Sequence, residues 1–352
     1  MKKLLLTTLG ILALASPALA AKKDVKKAVE RNPKAIYTLP YVGDMLEFTT
    51  QYEDTFVKIA RNHDLGYVEV RAANPDIDPW LPGAGTKLIL PAMHILPDAP
   101  HKGVVINLPE MRLFVFTADG KVTTVPIGIG REGLSTPVGE TKIMRKTVGP
   151  IWHPTARMKK DDPTLPDSVP PGPENPMGTH ALYLGWNEYA IHGTDKPYGI
   201  GRRVSSGCIR LYPEDIIRVY NMVPVDAPVR VVDQPVKAAF INNTVYVEAH
   251  TSVEQATRME NLGGLPLYEF TDDDMKMITK VAGELASHLD WSEVRRVVRQ
   301  RKGYPIAIPL IEEQKVAEVE PAAPALEEDE AKSEITEKEA DKPAKKVDVK
   351  TN

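Results

Sequence analysis

The amino-acid sequence predicts a mainly β domain, of the sandwich or barrel type, between a small α+β module and a small α/β C-terminal extension. Short strand-like runs separated by turn residues fill residues 101–233, a spacing typical of antiparallel β folds rather than of alternating strands and helices. Residues 44–92 run strand, helix, helix, strand, and residues 236–311 combine a strand with two helices. The 352 residues are enough for two or three such units.

The N-terminus has the three parts of a cleavable secretory signal peptide. Lys2 and Lys3 are basic, residues 4–15 carry no charge, and residues 18–20 (Ala-Leu-Ala) are the small residues of a cleavage site. We therefore predict a signal peptide at residues 1–20 and an exported mature protein, with an uncleaved membrane anchor as the alternative. The apolar run is shorter than the ~20 residues that span a bilayer, and no later segment of the sequence predicts a transmembrane helix.

The first predicted unit, residues 44–92, begins with an alternating strand at residues 46–49 and a helix at residues 54–61. A second helix, a turn and a strand at residues 86–91 complete it. Several residues resemble the pattern of a LysM module, namely Thr55, Ala60, Asn74-Pro75, Gly85 and Leu88-Ile89-Leu90-Pro91. LysM modules bind glycans that contain N-acetylglucosamine, so the resemblance implies glycan binding. A packing module without a ligand is the alternative.

Residues 101–233 form the predicted β domain. Strands are expected at residues 104–108, 111–116 and 122–129, separated by short turns. Residues 153–178 break this pattern with seven prolines. A loop of this length inside a compact domain is usually functional, and proline restricts its conformations. We therefore predict a semi-rigid lid, with disorder as the alternative.

Beyond residue 233, the sequence predicts a strand at residues 245–247 and helices at residues 272–289 and 291–301. Residues 312–352 contain 13 acidic and 7 basic residues and no aromatic residue, which predicts a disordered acidic tail. The formal net charge of the whole chain is −4. A general nucleic-acid binder carries a basic excess, so we expect no nucleic-acid partner.

Cys208 is the only cysteine of the chain, which excludes internal disulfides and sites made of four thiolates. His192 lies 16 residues upstream, and Gly207 permits a tight turn before the cysteine. A thiol nucleophile needs an oriented base and amide donors for the oxyanion. His192, the Gly193 carbonyl and the Gly207 and Cys208 amides are candidates for these roles. The alternatives are a buried inert cysteine and a zinc site made of His180, His192 and Cys208.

The motifs around this pair resemble those of the YkuD-type L,D-transpeptidase family (the ErfK/YbiS/YcfS/YnhG group). The family signature joins His-Gly-Thr, a Gly-rich spacer and Ser-x-Gly-Cys-Ile/Val-Arg, which stand here at residues 192–194 and 205–210. Three further stretches agree with the family, at residues 126–130, 136–139 and 175–178. Many members have His where Ser206 stands. This departure affects the pocket beside the nucleophile but neither the nucleophile nor the base.

The resemblance implies a role for each residue of the motif. Cys208 would be the nucleophile, and His192 would accept the thiol proton and then protonate the leaving amine. The Gly193 carbonyl would hold the imidazole, and the amides of Gly207 and Cys208 would stabilise the oxyanion. The implied substrate-binding residues are Arg210, Ser205 and Ser206. For Arg210, a bidentate grip on a substrate carboxylate and a structural ion pair remain alternatives.

The implied function is that of a periplasmic peptidoglycan L,D-transpeptidase without a cofactor or metal. The enzyme would form a thioester with a tetrapeptide stem, release D-Ala and pass the acyl group to an amine. Its partners would be peptidoglycan stem peptides and glycan, and the acceptor either a second stem (a 3–3 cross-link) or the C-terminal Lys of an outer-membrane lipoprotein. A hydrolase and a non-catalytic peptidoglycan-binding protein are the alternatives. We also expect Cys208 to be alkylated faster than a free thiol at pH 7.

Overall fold

Strand, helix, helix and strand follow one another in the first part of the computed structural model, which describes residues 39–262 and 269–311. The elements of this part are β1 (Tyr41–Val42), β2 (Leu46–Thr49), α1 (Phe56–Asn62), α2 (Tyr67–Ala73), β3 (Lys87–Leu90) and β4 (His94–Ile95). Strands β2 and β3 pair antiparallel, and Phe56, Ile59 and Leu88 are buried between them and the helices. The order of elements predicted for residues 44–92 is therefore present.

An eight-stranded mixed sheet forms the centre of the fold. The next strands of the chain are β5 (Gly103–Asn107), β6 (Arg112–Phe116), β7 (Val122–Pro126), β8 (Ile129–Gly130), β9 (Gly139–Val148), β10 (His180–Leu184), β11 (Ala190–His192), β12 (Arg203–Ser205), β13 (Ile209–Arg210) and β14 (Pro228–Val232). The sheet has the order β13-β11-β10-β9-β14-β5-β6-β7, and β8 pairs separately with β12. Helix α4 (Pro213–Met222) packs its buried side chains Ile216 and Val219 into the core of this sheet.

The two edges of this sheet meet near one point. Gly128 lies two residues beyond the end of β7. Its amide donates to the Arg210 carbonyl on β13 (2.8 Å), and the Arg210 amide donates back to the Gly128 carbonyl (2.9 Å). A Cβ at Gly128 would lie 2.9 Å from the Gly199 carbonyl oxygen, so this close approach requires glycine. The sheet is thus curled until its edges bond, which agrees with the predicted sandwich or barrel.

The proline-rich stretch predicted to be a lid is ordered. It contains a short helix, α3 (Ala156–Asp161), which is capped by the Thr155 hydroxyl. Trp152 and Val169 form an isolated antiparallel bridge that joins the two sides of the stretch. A bridged loop with a capped helix agrees with a semi-rigid lid rather than with disorder.

The C-terminal extension is a three-stranded antiparallel sheet covered by helices. Its elements are β15 (Val236–Ile241), β16 (Thr244–Ala249), α5 (Val253–Leu262), α6 (Asp272–Ala282), α7 (Trp291–Gln300) and β17 (Ile306–Ile308). The helix predicted at residues 272–289 ends earlier, because Gly283 adopts a positive φ of 58° and caps it. A 3₁₀ helix, Gly283–His288, occupies the rest of that range.

None of the described helices is both long and apolar enough to cross a bilayer. The predicted signal peptide at residues 1–20 and the predicted acidic tail at residues 312–352 lie outside the described residues. Both therefore stay predictions.

Candidate active site

A tight turn between β12 and β13 presents Cys208. The Ser205 hydroxyl donates to the Cys208 carbonyl (2.5 Å) and accepts from the Gly207 amide (3.1 Å). From outside the turn, the Thr136 hydroxyl donates to the Gly207 carbonyl (2.8 Å). Gly207 has a φ of 112°, and a Cβ there would lie 2.9 Å from the Tyr189 ring. Glycine is therefore required at this position for its conformation as well as for the space it leaves.

These contacts bear on the roles predicted for two residues. The Gly207 amide, predicted to contribute to the oxyanion hole, donates to the Ser205 hydroxyl here, and the Cys208 amide stays the predicted oxyanion donor. The sequence analysis also assigned Ser205 to substrate binding. Ser205 is fully buried and its hydroxyl is used within the turn. A direct contact of this hydroxyl with substrate is therefore not supported, and Ser205 positions the cysteine instead.

His192 stands at the end of β11, next to the cysteine turn. Strand β11 pairs in parallel with β13, with Ile191 opposite Ile209 and His192 opposite Arg210. Cys208, which precedes Ile209, therefore lies beside β11. His192 Nδ1 is 2.7 Å from the Gly193 carbonyl oxygen. A carbonyl only accepts hydrogen bonds, so Nδ1 carries the proton and Nε2 is left as the basic nitrogen. The contact between Gly193 and the imidazole, expected from the sequence, is present.

The electrostatics of the pair favour two neutral groups at pH 7. Burial lowers the pKa of His192 to about 4, and the Arg210 cation acts in the same direction. Burial raises the pKa of Cys208 above that of an ordinary thiol, although the Ala190 amide and Arg210 oppose this. A buried site disfavours the charged form of either group. The resting site thus holds a neutral thiol, which donates to the Glu188 carbonyl (3.5 Å), and a neutral imidazole rather than an ion pair.

Most of the predicted site residues line one cavity of about 1320 Å³. Cys208, His192, Ser206 and Arg210 all line it, together with lid residues such as Trp152. Ser206 is partly exposed at this wall, as a substrate-contacting residue must be. The cavity is large enough for a peptide, because ligand pockets typically measure about 300–1,000 Å³.

Arg210 faces the cavity without an anionic partner. Among the ion pairs of the described residues, none involves Arg210, and its buried Nε atom has no hydrogen-bond partner. Burial lowers the pKa of its guanidinium, while the Asp195 carboxylate opposes that shift. Of the two alternatives left open by the sequence, the structural ion pair is therefore not observed, and a grip on a substrate carboxylate stays a prediction.

One buried asparagine holds the lid over this cavity. Asn175 is fully buried, and its Nδ2 atom lies 2.8–3.1 Å from the carbonyls of Pro150, Val169 and Pro170. Its Oδ1 atom accepts from the Met177 amide (2.8 Å). One side chain therefore ties both ends of the lid together.

Replacing Asn175 by Ala should loosen the lid. The change leaves buried carbonyls without donors, and each lost hydrogen bond costs about 1 kcal/mol, so we expect the free energy of unfolding to fall by about 2–4 kcal/mol. Urea denaturation and amide hydrogen exchange of residues 150–178 measure the effect. Glu174→Ala, at the exposed neighbouring position, is the matched control. Unchanged exchange in this segment would contradict the role of Asn175.

The zinc site considered from the sequence is not assembled. His180 lies on β10, and its ring packs edge-on against Tyr220 at 4.7 Å. Among the described residues, the group of potential ligands close enough to hold a metal consists of His94, Glu110 and Glu248. His180, His192 and Cys208 do not form such a group.

Comparison with known proteins identifies this arrangement. Residues 101–231 match the YkuD family, described as the L,D-transpeptidase catalytic domain. The chain is 39% identical over 256 residues to the protein named Probable L,D-transpeptidase YbiS of Escherichia coli (strain K12), covering 71% of this chain and 81% of that protein. The chain belongs to the L,D-transpeptidase family. It is also 37% identical over 294 residues to Probable L,D-transpeptidase ErfK/SrfK of the same organism, covering 77% of this chain and 90% of the relative.

An L,D-transpeptidase structure from Mycobacterium smegmatis is similar over 38% of this chain and 58% of its own, with 23% identity and a TM-score of 0.32. The family assignment rests on the sequence relatives. This L,D-transpeptidase is therefore an enzyme, which removes the non-catalytic alternative. Thr136 and Tyr189 are contacts of its cysteine turn that the sequence analysis missed as site residues, although Thr136 belongs to one of the stretches that agree with the family.

Proposed function

We propose that this L,D-transpeptidase acts on peptidoglycan stem peptides by acyl transfer through Cys208. His192 Nε2 accepts the thiol proton as Sγ attacks the carbonyl of the third stem residue, meso-diaminopimelate. The Cys208 amide stabilises the oxyanion. The intermediate collapses to a thioester as His192 protonates the departing D-Ala amine. In the second half, an amine attacks the thioester and the thiol regains its proton.

The orientation of His192 is the observation that carries this proposal. Its Nδ1–H group is fixed on the Gly193 carbonyl, and His192 and Cys208 line the same cavity, which supports Nε2 as the base. A base must be both neutral and oriented to accept a proton. The pKa of about 4 for His192 keeps it neutral at physiological pH.

Arg210 supports an acceptor that carries a carboxylate near its amine. It is opposite His192 in the β11–β13 pair, on the side where the leaving and the incoming amines exchange protons. The D-Ala leaving group and a second diaminopimelate both have a carboxylate one carbon from the amine. A C-terminal Lys has its carboxylate farther from the ε-amine, so the geometry favours a second stem (3–3 cross-linking) over an outer-membrane lipoprotein. Water as acceptor makes the enzyme a hydrolase.

Mass spectrometry of products from purified tetrapeptide muropeptides tests the proposal. We expect a Cys208 acyl-enzyme lighter than the intact adduct by one D-Ala, and dimers that lack one D-Ala. Cys208→Ala should form neither product. Release of D-Ala without dimers would indicate a hydrolase, and attachment to an added lipoprotein peptide would indicate anchoring. Absence of any acyl-enzyme with the wild-type protein would refute the proposal.

The exported location and the LysM-like module belong to the same proposal. A periplasmic enzyme with a signal peptide at residues 1–20 would reach peptidoglycan, and a glycan-binding module at residues 44–92 would hold it there. Exposed aromatic residues support such binding, because Tyr52 is 88% and Trp80 is 54% exposed on the loops that follow β2 and α2. Aromatic rings at a surface pack against the apolar faces of sugars.

Replacing Trp80 and Tyr52 together by Ala should weaken binding to insoluble peptidoglycan. Losing two exposed contact rings is expected to lower affinity by about 10-fold or more. Co-sedimentation measures it, with Leu310→Ala, an exposed residue of the C-terminal extension, as the control. Equal binding of both variants would indicate a packing module that binds no glycan.

A further inference from the structure

A row of four residues crosses the sheet and ends at the cysteine. Arg145 on β9 pairs with Tyr183 on β10, and Tyr183 pairs with Ala190 on β11. Cys208 lies next to Ala190, because Ile209 pairs with Ile191. Residues directly opposite in a sheet point to the same face. The row Arg145–Tyr183–Ala190–Cys208 therefore shares one face.

This face is the floor of the active-site cavity. All four residues line the cavity, whereas the alternate residues Ile191 and Ile209 point into the hydrophobic core. Along the row, Ala190 and Tyr183 pack with lid residue Trp152. The floor is thus apolar between the thiol and the guanidinium at its far end.

The Arg145 guanidinium is held in place and has no anionic partner. Its Cζ atom lies 3.6 Å from the centroid of the Tyr183 ring, and Nη1 donates to the Thr147 hydroxyl (2.9 Å). Among the described residues, no carboxylate forms an ion pair with Arg145. A stacked guanidinium keeps its remaining N–H groups in a fixed fork. These N–H groups are therefore free to donate hydrogen bonds to a bound anion.

Arg145 and Arg210 lie on different sides of the reacting atoms. Arg210 belongs to the neighbouring row with His192 and Ala181, two residues further along β11 than Ala190. In the proposed mechanism His192 protonates the leaving amine and deprotonates the incoming one. Both amines should therefore bind near the row that contains His192 and Arg210. The row of Arg145 extends away from these amines and can bind the donor peptide that becomes the acyl group. Since neighbouring strands are about 4.8 Å apart, the guanidinium above Tyr183 is about 10 Å from the cysteine position.

We propose that Arg145, stacked on Tyr183, forms a carboxylate-binding subsite for the acyl donor. This inference rests on the proposed function. The donor chain would lie over the apolar floor with its reacting carbonyl at Cys208. A carboxylate two to three residue lengths away would be bound by the guanidinium fork, since an extended chain spans about 3.3 Å per residue. The enzyme would thereby select acidic stem peptides before any amine enters.

A comparison of Arg145→Gln with the wild type tests this on the full chain. The donors are the tetrapeptide stem and stems with one carboxylate amidated at a time, and the readout is the rate of Cys208 acyl-enzyme formation by mass spectrometry. Removing a charge-assisted hydrogen bond is expected to slow acylation by about 10- to 100-fold. For one of the donor carboxylates, we expect amidation to slow acylation of the wild type as much as the Arg145→Gln substitution does. The same amidation should not slow acylation of Arg145→Gln further. A merely structural arginine would not show this dependence on the donor.

Two further variants sharpen the comparison. Arg145→Lys keeps the charge without the fork and should recover part of the rate. Lys142→Gln, on the same strand and outside the cavity, removes an exposed cation paired with Asp226 and should acylate like the wild type. Equal acylation by Arg145→Gln and wild type with every donor would overturn the subsite. The subsite would also be overturned if Arg145→Gln acylated normally but passed its acyl group to water and to the amine in a changed ratio. Arg145 would then bind a carboxylate of the acceptor rather than of the donor. Failure of the wild type to acylate at all would instead remove the proposed function.

Discussion

Replacing His192 by Ala should lower kcat/KM for D-Ala release by about 10²–10⁴-fold. The thiol of Cys208 is protonated at rest because burial raises its pKa, so the attack on the carbonyl requires a base in the transition state. Without the imidazole, both proton transfers would depend on water. The substitution leaves the backbone pairing of β11 in place, and thermal denaturation checks that the fold is kept. His180→Ala is the matched control, because this ring lies on the neighbouring strand and packs on Tyr220.

The pH dependence of the wild type provides an independent check of the same role. The base acts only when neutral, and it is neutral above its pKa. With the pKa of His192 at about 4, kcat/KM should stay level from pH 7 to about pH 5 and fall only near pH 4. An imidazole with the ordinary pKa of about 6.5 would already lose most activity at pH 5.5. An acid limb near 6.5 would therefore contradict the burial argument.

The reactivity of Cys208 changes the expectation drawn from the sequence. The motif alone led us to expect faster alkylation than that of a free thiol at pH 7. The structure leads to slower alkylation, because only the thiolate is the nucleophile and burial raises the pKa of this thiol. Under the proposed function, the cysteine would be activated when substrate and His192 act together rather than at rest. Iodoacetamide labelling across pH distinguishes the two expectations.

The sequence predicted the parts of the site that depend on neighbouring residues. His192 and the carbonyl of Gly193 are adjacent, so the orienting contact followed from local geometry. The cysteine turn was expected from Gly207. The hydrogen bonds inside that turn were not expected, because a sequence does not show whether an amide points at a ligand or at a nearby hydroxyl such as that of Ser205. The oxyanion donor therefore stays a prediction.

The parts that the sequence did not predict depend on strand register over long distances. Arg145 and Cys208 are 63 positions apart in the numbering and share one face of the cavity only because β9, β10, β11 and β13 are neighbours. The closure of the sheet through Gly128 and Arg210 is equally non-local. Periodicity indicates that a segment is a strand but not which strand it will pair with.

A buried ionic cluster connects the C-terminal extension to the eight-stranded sheet. Its residues are also far apart in the sequence. The Lys237 ammonium on β15 lies 2.7 Å from Glu110, on the turn between β5 and β6, and 2.9 Å from Glu248 on β16. It also donates to the Ile95 carbonyl (2.6 Å). All three charged side chains are almost completely buried. Burial raises the pKa of Glu110, but attraction to Lys237 and a hydrogen bond with His94 outweigh it and hold the pKa well below its usual value.

Replacing Lys237 by Met should lower the free energy of unfolding by about 3–5 kcal/mol at pH 7, because two carboxylates lose their buried counter-ion. The pH dependence should also change. In the wild type the depressed pKa of Glu110 contributes stability that is fully present above about pH 4.5 and is lost only below it, as the pH falls towards the lower pKa of the folded state. In the variant, burial raises the pKa values of both carboxylates and is opposed by His94 and His250 but no longer by Lys237. We therefore expect the folded state to bind more protons than the unfolded state, so that stability rises from pH 7 to 5.

Urea denaturation at pH 7 and pH 5 measures both effects. Lys276→Met, which removes an exposed ammonium paired with Asp273, is the matched control and should change stability by less than about 0.5 kcal/mol. A double variant that combines Lys237→Met with Glu110→Gln should recover part of the loss, because one of the two unpaired charges is gone. If Lys237→Met were as stable as the wild type and kept its pH slope, the cluster would contribute nothing to holding the extension. A loss at pH 7 that becomes smaller at pH 5 would instead show that one ammonium group joins the extension to the catalytic sheet.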